Sequence, residues 1–326
     1  MRVDVVQNAL RIRVDGRSAG QAIDTLLTTQ LFLADGFVRS LFSAGRVRAG
    51  SVAAVPGDIL RQGQAVWLQG GVEEEEPIPI SLGSVSPLDV LYEDDHALIA
   101  NKPAGVLVYP GTPEDTDTLL QQVASYYAET GQVLRVRHAH RLDRDTTGAV
   151  LYAKHEYAAR SFDHLLQRGQ VHRRYLAVVI GRLPMQQGVI DQPIGRDRHV
   201  AGRYRVSATG RPARTHYSVL AVAEVNQQPV SLVECTLETG RTHQIRVHLA
   251  SLGCPVVGDA LYGAPATDRA LRGERLRAAV QIAHGHALHA VELRFWHPYE
   301  GEWVSQSAPL PQDFVQLLAL TGLPPV

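Results

Sequence analysis

Cysteine, methionine and lysine are scarce in this chain of 326 residues, which contains two of each. Neither Cys235 nor Cys254 stands in a Cys-x-x-Cys spacing, so the sequence favours two buried thiols over a disulfide or a cysteine-ligated metal site. Apolar runs long enough to span a membrane are missing, and so is the apolar stretch of a signal peptide at the N-terminus. We therefore expect a soluble, cytoplasmic protein that does not associate with a membrane.

A large net charge is also missing, because the whole chain has a formal net charge of −1. The charges are nevertheless unevenly distributed. The segment from Arg135 to Arg214 contains 16 Lys or Arg and 6 Asp or Glu, whereas the rest of the chain contains 16 basic and 27 acidic residues. Several of these arginines are expected to pair with acidic residues elsewhere in the fold. So concentrated an excess still predicts a local surface that binds a phosphate-rich ligand.

The length suits two or three domains, and a hydrophobic content of 45% is sufficient for a substantial core. Apolar residues with helical spacing, followed by Gly and Pro turns, predict a small module over residues 1–70. Residues 71–85 include the acidic, proline-broken stretch Glu73–Pro79 and are expected to form a solvated linker. A larger domain is expected over residues 86–310, with a C-terminal tail over 311–326.

The larger domain is predicted to be α+β, because its strands follow one another with few helices between them. This pattern is typical of a mixed, largely antiparallel central sheet with flanking helices. Strands are expected at 90–92, 97–100, 149–153, 175–180, 216–223, 230–237 and, last, 288–295. Helices are expected around 120–127 with Asp117 as its cap, around 158–166, and at 241–252.

The segment from His140 to Gly148, with the sequence HRLDRDTTG, contains the strongest candidate for chemistry. Asp143 follows an apolar residue and has an arginine two residues before it and another directly after it. Nearby positive charge favours an ionised carboxylate, which can act as a nucleophile. One alternative is that Asp143 only pairs with a neighbouring arginine. Another is a hydrolase in which Asp143 and Asp145 form a carboxylate pair.

Two further segments combine cations with groups that can contact a base. Tyr175 follows two arginines at the start of a predicted strand, where it could stack on a base or take part in proton transfer. It could instead cap the core with its hydroxyl group in water. On the predicted helix, His243 and Arg246 share a face, and Arg246 could reach a carboxylate on a neighbouring strand. The alternative is that Arg246 is a surface arginine.

The segment from Asn101 to Pro110 contains Lys102 beside a Pro and Gly turn, which could place its charge near a phosphate.

Metal binding is not predicted. The histidines at 138, 140, 284, 286 and 289 include pairs two residues apart, but no Asp, Glu or Cys accompanies them in a ligand pattern. The G-x-S-x-G elbow, the P-loop and the dinucleotide-binding glycine pattern are missing.

Taken together, these segments resemble the RluA-type pseudouridine synthases over roughly residues 86–305. His140–Gly148 matches the central motif of that family, with Thr147 where serine is common. The first motif is matched by Asn101–Pro110, with Tyr109 where histidine is expected. The other matching segments are Arg174–Ala177, Gly240–Leu249 continued by Gly253–Asp259 and Tyr262–Gly263, Leu288–Ala290 and His297–Pro298.

The N-terminal module resembles the S4 RNA-binding fold, a small α/β domain. That fold usually carries several basic residues on its second helix, and here only Arg39 is present. A degenerate S4 module that serves as a spacer is the alternative to an RNA-binding one.

The RluA-type resemblance implies isomerisation of uridine to pseudouridine in RNA, most commonly ribosomal RNA and alternatively transfer RNA. We expect the protein to be a monomer. By this likeness Asp143 is the nucleophile, Tyr175 stacks on the target base and helps to remove its C5 proton, and Arg246 pairs with Asp143. Arg141 is expected to fill the gap left by the everted uridine. The other expected substrate contacts are His140, Lys102, Arg144, Arg174 and His243.

The implied reaction breaks a C1′–N1 bond and forms a C1′–C5 bond without net oxidation, so no cofactor is expected. A carboxylate could attack C1′, as in retaining glycosidases, assist glycal formation or add to C6. The sequence leaves these three routes open. The competing hypothesis is a non-catalytic RNA-binding protein that retains the fold, and the carboxylate at position 143 argues against it.

Overall fold

The computed structural model describes residues 1–72, 85–112, 114–263, 278, 281–282 and 285–326. The predicted linker over residues 71–85 therefore lies mostly outside the described residues. Within the described ranges, no helix combines the length and the apolar character needed to cross a lipid bilayer.

The N-terminal module is a five-stranded antiparallel sheet with two helices. Its helices bury apolar residues spaced three or four apart, such as Val38 and Leu41, as the helical spacing of the sequence predicts. The sheet order is β1-β2-β5-β3-β4. The elements are β1 (Arg2–Val6), β2 (Ala9–Arg13), α1 (Ile23–Thr29), α2 (Asp35–Ser43), β3 (Val47–Ala49), β4 (Val52–Ala53) and β5 (Ala65–Gln69).

The larger domain is built on a long mixed sheet with the order β11-β14-β15-β10-β16-β9-β7-β6. Its pairs are antiparallel except for β16 with β9. The strands are β6 (Val90–Glu93), β7 (Ala97–Lys102), β8 (Arg137–His138), β9 (Thr147–Ala153), β10 (Val171–Ile180), β11 (Gln187–Asp191), β12 (Ile194–Arg196), β13 (Tyr204–Val206), β14 (Arg214–Val225), β15 (Gln228–Leu237), β16 (Leu288–His297) and β17 (Glu302–Ser307). The helices whose bounds lie within the described residues are α3 (Leu119–Glu129), α4 (Glu156–Gln167), α5 (Gln244–Ser251) and α6 (Gln312–Thr321). The predicted mixed, largely antiparallel sheet is confirmed.

Three local predictions were wrong. Thr118 rather than Asp117 caps α3, because Asp117 has a left-handed φ of 54° and its successor forms the capping box with Gln121. Helix α5 begins at Gln244 instead of residue 241, because His243 has a φ of 58° and cannot continue a right-handed helix. Strand β16 is also not the last element, since β17 and α6 follow it.

The segment 311–326 is not a free tail. Helix α6 buries Phe314, Leu317 and Leu318, and these side chains belong to the main hydrophobic cluster of the larger domain. Burial of such side chains contributes about 1.5–3 kcal/mol each relative to exposure, so the segment is part of the domain core.

The central strands are buried on both faces, which divides the core into two layers. Along β9, Val150 and Tyr152 point into one cluster and Ala149, Leu151 and Ala153 into the other. The second cluster also contains most of the buried residues of the N-terminal module. The module and the larger domain thus share one hydrophobic core across this face of the sheet.

Polar contacts along α4 reinforce this shared core. Arg46 Nη2 lies 3.1 Å from Glu156 Oε2 and donates to Tyr157 Oη at 2.9 Å. The Tyr157 hydroxyl in turn donates to the carbonyl of Gln69 at 2.9 Å. Because the module is fixed through these contacts as well as by apolar packing, its position does not depend on the segment that joins it to the larger domain.

Candidate active site

Asp143 lies in the turn between β8 and β9, and this turn is fixed from two sides. The Thr146 hydroxyl is 2.7 Å from His286 Nε2, and the Thr146 amide donates to the Asp143 carbonyl at 3.2 Å. On the other side, Lys102 Nζ donates to the carbonyl of Arg144 at 2.5 Å. A turn held in this way gives the Asp143 side chain a defined direction.

Gly148 allows the strand that follows the turn to approach β16 closely. Its φ is +107°, and a Cβ atom at this position would lie 2.2 Å from the carbonyl oxygen of Ala290. Any other residue would force β9 and β16 apart, so the final glycine of the HRLDRDTTG segment is required by the backbone.

Arg246 joins two carboxylates. Its Nη1 donates to Asp143 Oδ2 at 2.9 Å, while Nε and Nη2 donate to the two oxygens of Asp259 at 2.7 and 2.9 Å. The Asp259 side chain is fully buried, and that of Asp143 retains 17% exposure. Burial would raise the pKa of Asp259, but hydrogen bonds from Arg246 and its charge outweigh burial and hold that pKa below its usual value. The buried Asp259 thereby orients Arg246 toward the accessible Asp143.

His243 lies beside the same carboxylate. Its Nε2 is 4.0 Å from Asp143 Oδ1, and its Nδ1 is 2.8 Å from the hydroxyl of Tyr262. Burial lowers the pKa of His243. The negative charge of Asp143 opposes this shift, whereas the positive charge of Arg246 adds to it. The imidazole is therefore neutral near pH 7.

Tyr175 comes from β10, opposite Cys235 of β15. A β-bulge between Arg174 and Leu176 interrupts the pairing with β16 and redirects the backbone at this residue. The side chain is largely buried, and burial raises the pKa of Tyr175, with the nearby charge of Asp143 adding to the rise. The hydroxyl is therefore protonated at neutral pH.

These groups line one cavity of about 520 Å³, which we call the Asp143 cavity. That volume is within the range of pockets that hold small ligands. Its walls include four arginines and two carboxylates, so a negatively charged ligand is favoured. The lining residues are 139–143, 146, 166–167, 173, 175, 237–246 and 288.

Arg141 stands exposed at the rim of this cavity. Its guanidinium lies over the ring of Tyr109, 5.1 Å from the ring centroid, and donates to the Tyr109 hydroxyl. Tyr109 also stacks on His138, with 5.1 Å between the ring centroids. The tyrosine that departs from the family pattern thus supports the arginine expected to enter the RNA.

Not every predicted contact faces the Asp143 cavity. His140 lines the cavity but is largely buried; its Nε2 accepts the Leu151 amide at 3.2 Å, and burial lowers its pKa to about 3. Arg174 is paired on the sheet with Glu234 and Glu292 at 2.9 and 2.8 Å. Arg144 points toward Asp115 at 3.8 Å. Neither Arg174 nor Arg144 lines the cavity.

Lys102 is also away from the Asp143 cavity. It is almost completely buried, and its Nζ donates to the carbonyls of Pro103, Val106 and Arg144. A lysine with three carbonyl acceptors is not presented to a phosphate, so the structure does not bring it to the site as predicted. Its contact with Arg144 ties it instead to the turn that carries Asp143.

Asp145 lines a separate pocket together with Lys102 and Gly285, not the Asp143 cavity. A Cβ atom on Gly285 would lie 2.3 Å from atoms of the Asp145 side chain, so Asp145 points against that segment. The two aspartates therefore do not form the carboxylate pair that the hydrolase hypothesis requires.

The histidines considered for metal binding have protein partners where they are described. His289 Nδ1 is 2.7 Å from the Thr147 hydroxyl, and His286 contacts Thr146. His284 lies outside the described residues. Within the described parts of the chain, no group of three or more His, Cys, Asp or Glu residues is placed to hold a metal ion.

Four residues that build the site were not predicted from the sequence. Asp259 holds Arg246, and Tyr262 holds His243. Arg173 lines the cavity, and His286 fixes the turn that carries Asp143. The segments containing Asp259 and Tyr262 were recognised as part of a motif. Their partners could not be read from spacing, because the pairs form only when α5 packs beside the loop that follows it.

Comparison with known proteins identifies the family. Residues 96–251 match the RNA pseudouridylate synthase family. The chain is 36% identical over 308 residues to the uncharacterized RNA pseudouridine synthase YhcT of Bacillus subtilis, covering 94% of this chain and 96% of that protein. It is 43% identical over 239 residues to the ribosomal large subunit pseudouridine synthase D of Nitrosomonas europaea, covering 73% and 67% of the two chains.

A solved structure agrees with these sequence matches. Human RNA Pseudouridylate Synthase Domain Containing 1 is 30% identical to this chain, with a TM-score of 0.55, and the match covers 70% of this chain and 86% of that one. The fold, the order of the motifs and the match to nearly the whole Bacillus subtilis protein all indicate the same family. The chain therefore belongs to the RluA-type family of RNA pseudouridine synthases, which are isomerases.

Proposed function

We propose that this protein isomerises specific uridines in ribosomal RNA to pseudouridine, with Asp143 as the nucleophile. The observation that carries the proposal is the Asp143–Arg246 pair, joined at 2.9 Å on the wall of a cavity that also contains Tyr175. Ribosomal RNA is favoured over transfer RNA because relatives in Nitrosomonas europaea and Escherichia coli are named ribosomal large subunit pseudouridine synthase D.

The reaction begins with eversion of the target uridine, because C1′ and C5 are not accessible within a base stack. Unstacking costs a few kcal/mol, and single-stranded loops keep that cost low. Arg141 stands exposed at the rim, where it can enter the space that the uridine leaves. The arginines on the cavity wall then neutralise phosphate charge on either side of the everted nucleotide.

Within the cavity, the carboxylate of Asp143 acts on the nucleoside by attack at C1′, by assisting glycal formation or by addition to C6. Arg246 orients the carboxylate and remains charged through its double hydrogen bond to Asp259. The aromatic ring of Tyr175 stacks on the uracil while it turns to present C5. No electrons are gained or lost overall, so the reaction itself requires no redox cofactor.

The test is tritium release from RNA labelled at C5 of uridine. Wild type should release tritium from ribosomal RNA and Asp143→Asn should not, while the RNA affinities of the two proteins stay within a few-fold. Asp4→Asn is the matched control, since Asp4 is also bonded to an arginine, at 2.8 Å, and its side chain has a similar exposure of 16%. Loss of binding in Asp143→Asn would make the residue structural, and free uracil among the products would indicate a hydrolase.

The proposal includes an RNA-binding role for the S4-like module over residues 1–70. Its support is the exposed Arg39 on α2 and the fixed position of the module beside the larger domain. Substitution Arg39→Ala should lower RNA affinity and reduce the salt dependence of binding by about one phosphate contact. Unchanged affinity and salt dependence would favour the spacer role.

We further propose that the enzyme acts as a cytoplasmic monomer. The relatives compared from Bacillus subtilis and Nitrosomonas europaea are bacterial, and bacterial ribosomal RNA is made and matured in the cytoplasm. Sedimentation of the purified protein and mapping of modified uridines in a deletion strain would test the oligomeric state and identify the target.

A further inference from the structure

His243 has an unusual backbone for a residue with a large side chain. It precedes α5 with a φ of 58° and a ψ of 21°, in the left-handed region. Such a conformation costs a non-glycine residue about 1 kcal/mol or more, and these conformations cluster at functional sites. The imidazole is held between two aromatic rings, those of Tyr204 and Tyr262, whose centroids are 5.6 and 5.7 Å away. The side chain is therefore fixed in one orientation.

Hydrogen bonds also favour one tautomer of this ring. The Tyr262 hydroxyl accepts the backbone amide of Tyr204 at 2.9 Å, so its own proton is available for a second partner. The nearest candidate for that proton is Nδ1 of His243, at 2.8 Å. When Nδ1 accepts a hydrogen bond, the proton of a neutral imidazole resides on Nε2. The protein thus presents an Nε2–H group on the wall of the Asp143 cavity.

This Nε2 atom lies near the carboxylate of Asp143 without a hydrogen bond to it. Its distance of 4.0 Å from Asp143 Oδ1 exceeds that of a hydrogen bond, and none of the described residues offers it a closer acceptor. By contrast, the hydrogen bonds of Arg246 are already directed to Asp143 and Asp259. A donor held beside the nucleophile without a partner is suited to an acceptor atom on the substrate.

We propose that His243 is a further catalytic residue, which donates its Nε2–H hydrogen bond to the O2 carbonyl oxygen of the everted uracil. This inference rests on the proposed pseudouridine synthase function. O2 is the ring carbonyl bonded to the carbon next to N1, so it lies close to C1′, where Asp143 acts. A site that holds C1′ at Asp143 also brings O2 near His243.

The chemistry gives this contact a role in the rate. When the C1′–N1 bond breaks, both electrons remain on the uracil and the negative charge spreads over N1 and the two carbonyl oxygens. When C5 then bonds to C1′, the ring becomes neutral, and loss of the C5 proton with uptake of a proton from solvent at N1 gives pseudouridine. A preorganised donor to a carbonyl oxygen therefore stabilises the charged species, and no proton leaves His243.

The contact can be tested with two replacements at position 243. His243→Phe removes the donor and keeps an aromatic ring, whereas His243→Gln places an amide N–H near the position of Nε2. With ribosomal RNA as substrate, we expect kcat of the Phe variant to fall by roughly 10²-fold with KM changed by less than about threefold. The Gln variant should retain at least about a tenth of the wild-type kcat.

Tyr262→Phe tests the favoured tautomer separately, because it removes the proton donated to Nδ1. In ¹⁵N-labelled wild type, the His243 resonances, assigned by their absence in His243→Gln, should show protonated Nε2 and unprotonated Nδ1. In Tyr262→Phe they should show a mixture of tautomers, with a smaller loss of kcat than in His243→Phe. An Nδ1–H tautomer in wild type would overturn the proposal.

The kinetic outcomes separate the two proposals. An active wild type with an unaffected His243→Phe variant would overturn the role of His243 alone. Equal losses in the Phe and Gln variants would also overturn it, since the donor would then not be the property that matters. A wild type that forms no pseudouridine from ribosomal or transfer RNA would remove the proposed function and this inference together.

Discussion

The guanidinium of Arg246 donates to Asp143 at 2.9 Å while the buried carboxylate of Asp259 occupies its Nε and Nη2 groups. Asp143 and Arg246 are far apart in the sequence and come from a turn and a helix. Their alignment depends on Asp259, because a guanidinium bonded through two nitrogens to one carboxylate has a fixed plane. The arginine therefore reaches Asp143 in a single direction.

Arg246→Lys should lower kcat by roughly 10- to 100-fold, the factor that corresponds to loss of a charge-assisted hydrogen bond of about 1.5–3 kcal/mol. A lysine keeps the charge but cannot bond Asp259 through two nitrogens and reach Asp143 at the same time. Arg246→Ala is a poorer test, because an unpaired buried Asp259 would destabilise the fold by about 3–5 kcal/mol. Single-turnover rates and urea unfolding of the same samples separate the two effects.

The matched control for this substitution is Arg174→Lys. Arg174 also bridges two carboxylates, Glu234 and Glu292, but lies outside the Asp143 cavity. Its replacement should leave kcat within about twofold of wild type. Equal losses in the two lysine variants would contradict a specific role for Arg246.

The two functions expected of Tyr175 can be separated by Tyr175→Phe and Tyr175→Leu. The Phe variant keeps the ring for stacking and should bind RNA normally, but its rate should fall by roughly 10²-fold if the hydroxyl assists removal of the C5 proton. The Leu variant also loses base stacking, worth about 1–3 kcal/mol, so its affinity should decrease as well. Filter binding and single-turnover kinetics measure both effects.

Tyr217→Phe is the control for the loss of a tyrosine hydroxyl group away from the Asp143 cavity. Tyr217 lies in the same row of the sheet, since Cys235 pairs with both Tyr175 and Tyr217, but it does not line the cavity. A full rate for Tyr175→Phe would limit the role of Tyr175 to stacking.

That Asp143, Tyr175 and Arg246 lie at one cavity could be predicted, because each residue lies in a motif with a distinctive sequence. The same approach failed for Arg174 and Lys102, which are charged residues within or next to such motifs. Their surroundings decide their role: Arg174 meets two glutamates across neighbouring strands, and Lys102 is enclosed by three carbonyls. Neither set of partners is adjacent in the sequence, so the motifs predicted more residues at the Asp143 cavity than line it.

Lys102→Met should weaken the fold and the site together. It leaves the carbonyls of Pro103, Val106 and Arg144 without their donor, and a buried unsatisfied group costs about 1–3 kcal/mol. Because Arg144 follows Asp143 directly, the turn should also loosen and kcat should fall, while RNA affinity changes little. Denaturant unfolding with kinetics checks this, and a large loss of affinity with a normal kcat would restore the predicted phosphate contact.

The sequence predicts a module over residues 1–70, but the attachment of this module to the larger domain could not be predicted. The strands β7 and β9 are apolar on both faces. This pattern predicts that both faces of the sheet are covered, but it does not reveal which part of the chain covers each face. The module covers one of those faces. Contacts such as Arg46 with Tyr157 join residues more than a hundred positions apart.

Deletion of residues 1–72 should therefore damage the larger domain as well as any RNA contact. The deletion uncovers apolar side chains that share a core with the module, among them Ile99, Leu151, Phe162 and Phe295. We expect a lower Tm and aggregation of the truncated protein, measured by calorimetry and light scattering. A truncated protein with an unchanged Tm would contradict the shared core and would make deletion a valid test of RNA binding.

Acid should destabilise the protein through histidines buried where the module meets the larger domain. His96 Nδ1 lies 2.9 Å from His155 Nε2, and His96 stacks on Tyr299 with 4.2 Å between ring centroids. Burial lowers the pKa of His96 to about 4, although Asp94 opposes the shift. Burial also lowers the pKa of His155 far below its usual value. Both rings are therefore neutral in the folded protein near pH 7.

The sign of the effect follows from proton binding. An unfolded histidine has a pKa of about 6.5, so between pH ~6.5 and pH ~4 the unfolded chain binds more protons than the folded one. The free energy of unfolding should therefore be highest above pH ~6.5 and should decrease as the pH falls toward 4. His96 alone would contribute about 3 kcal/mol to this decrease. His96→Asn, which cannot be protonated, should flatten the pH dependence measured by urea unfolding, whereas an unchanged slope would show that other groups dominate it.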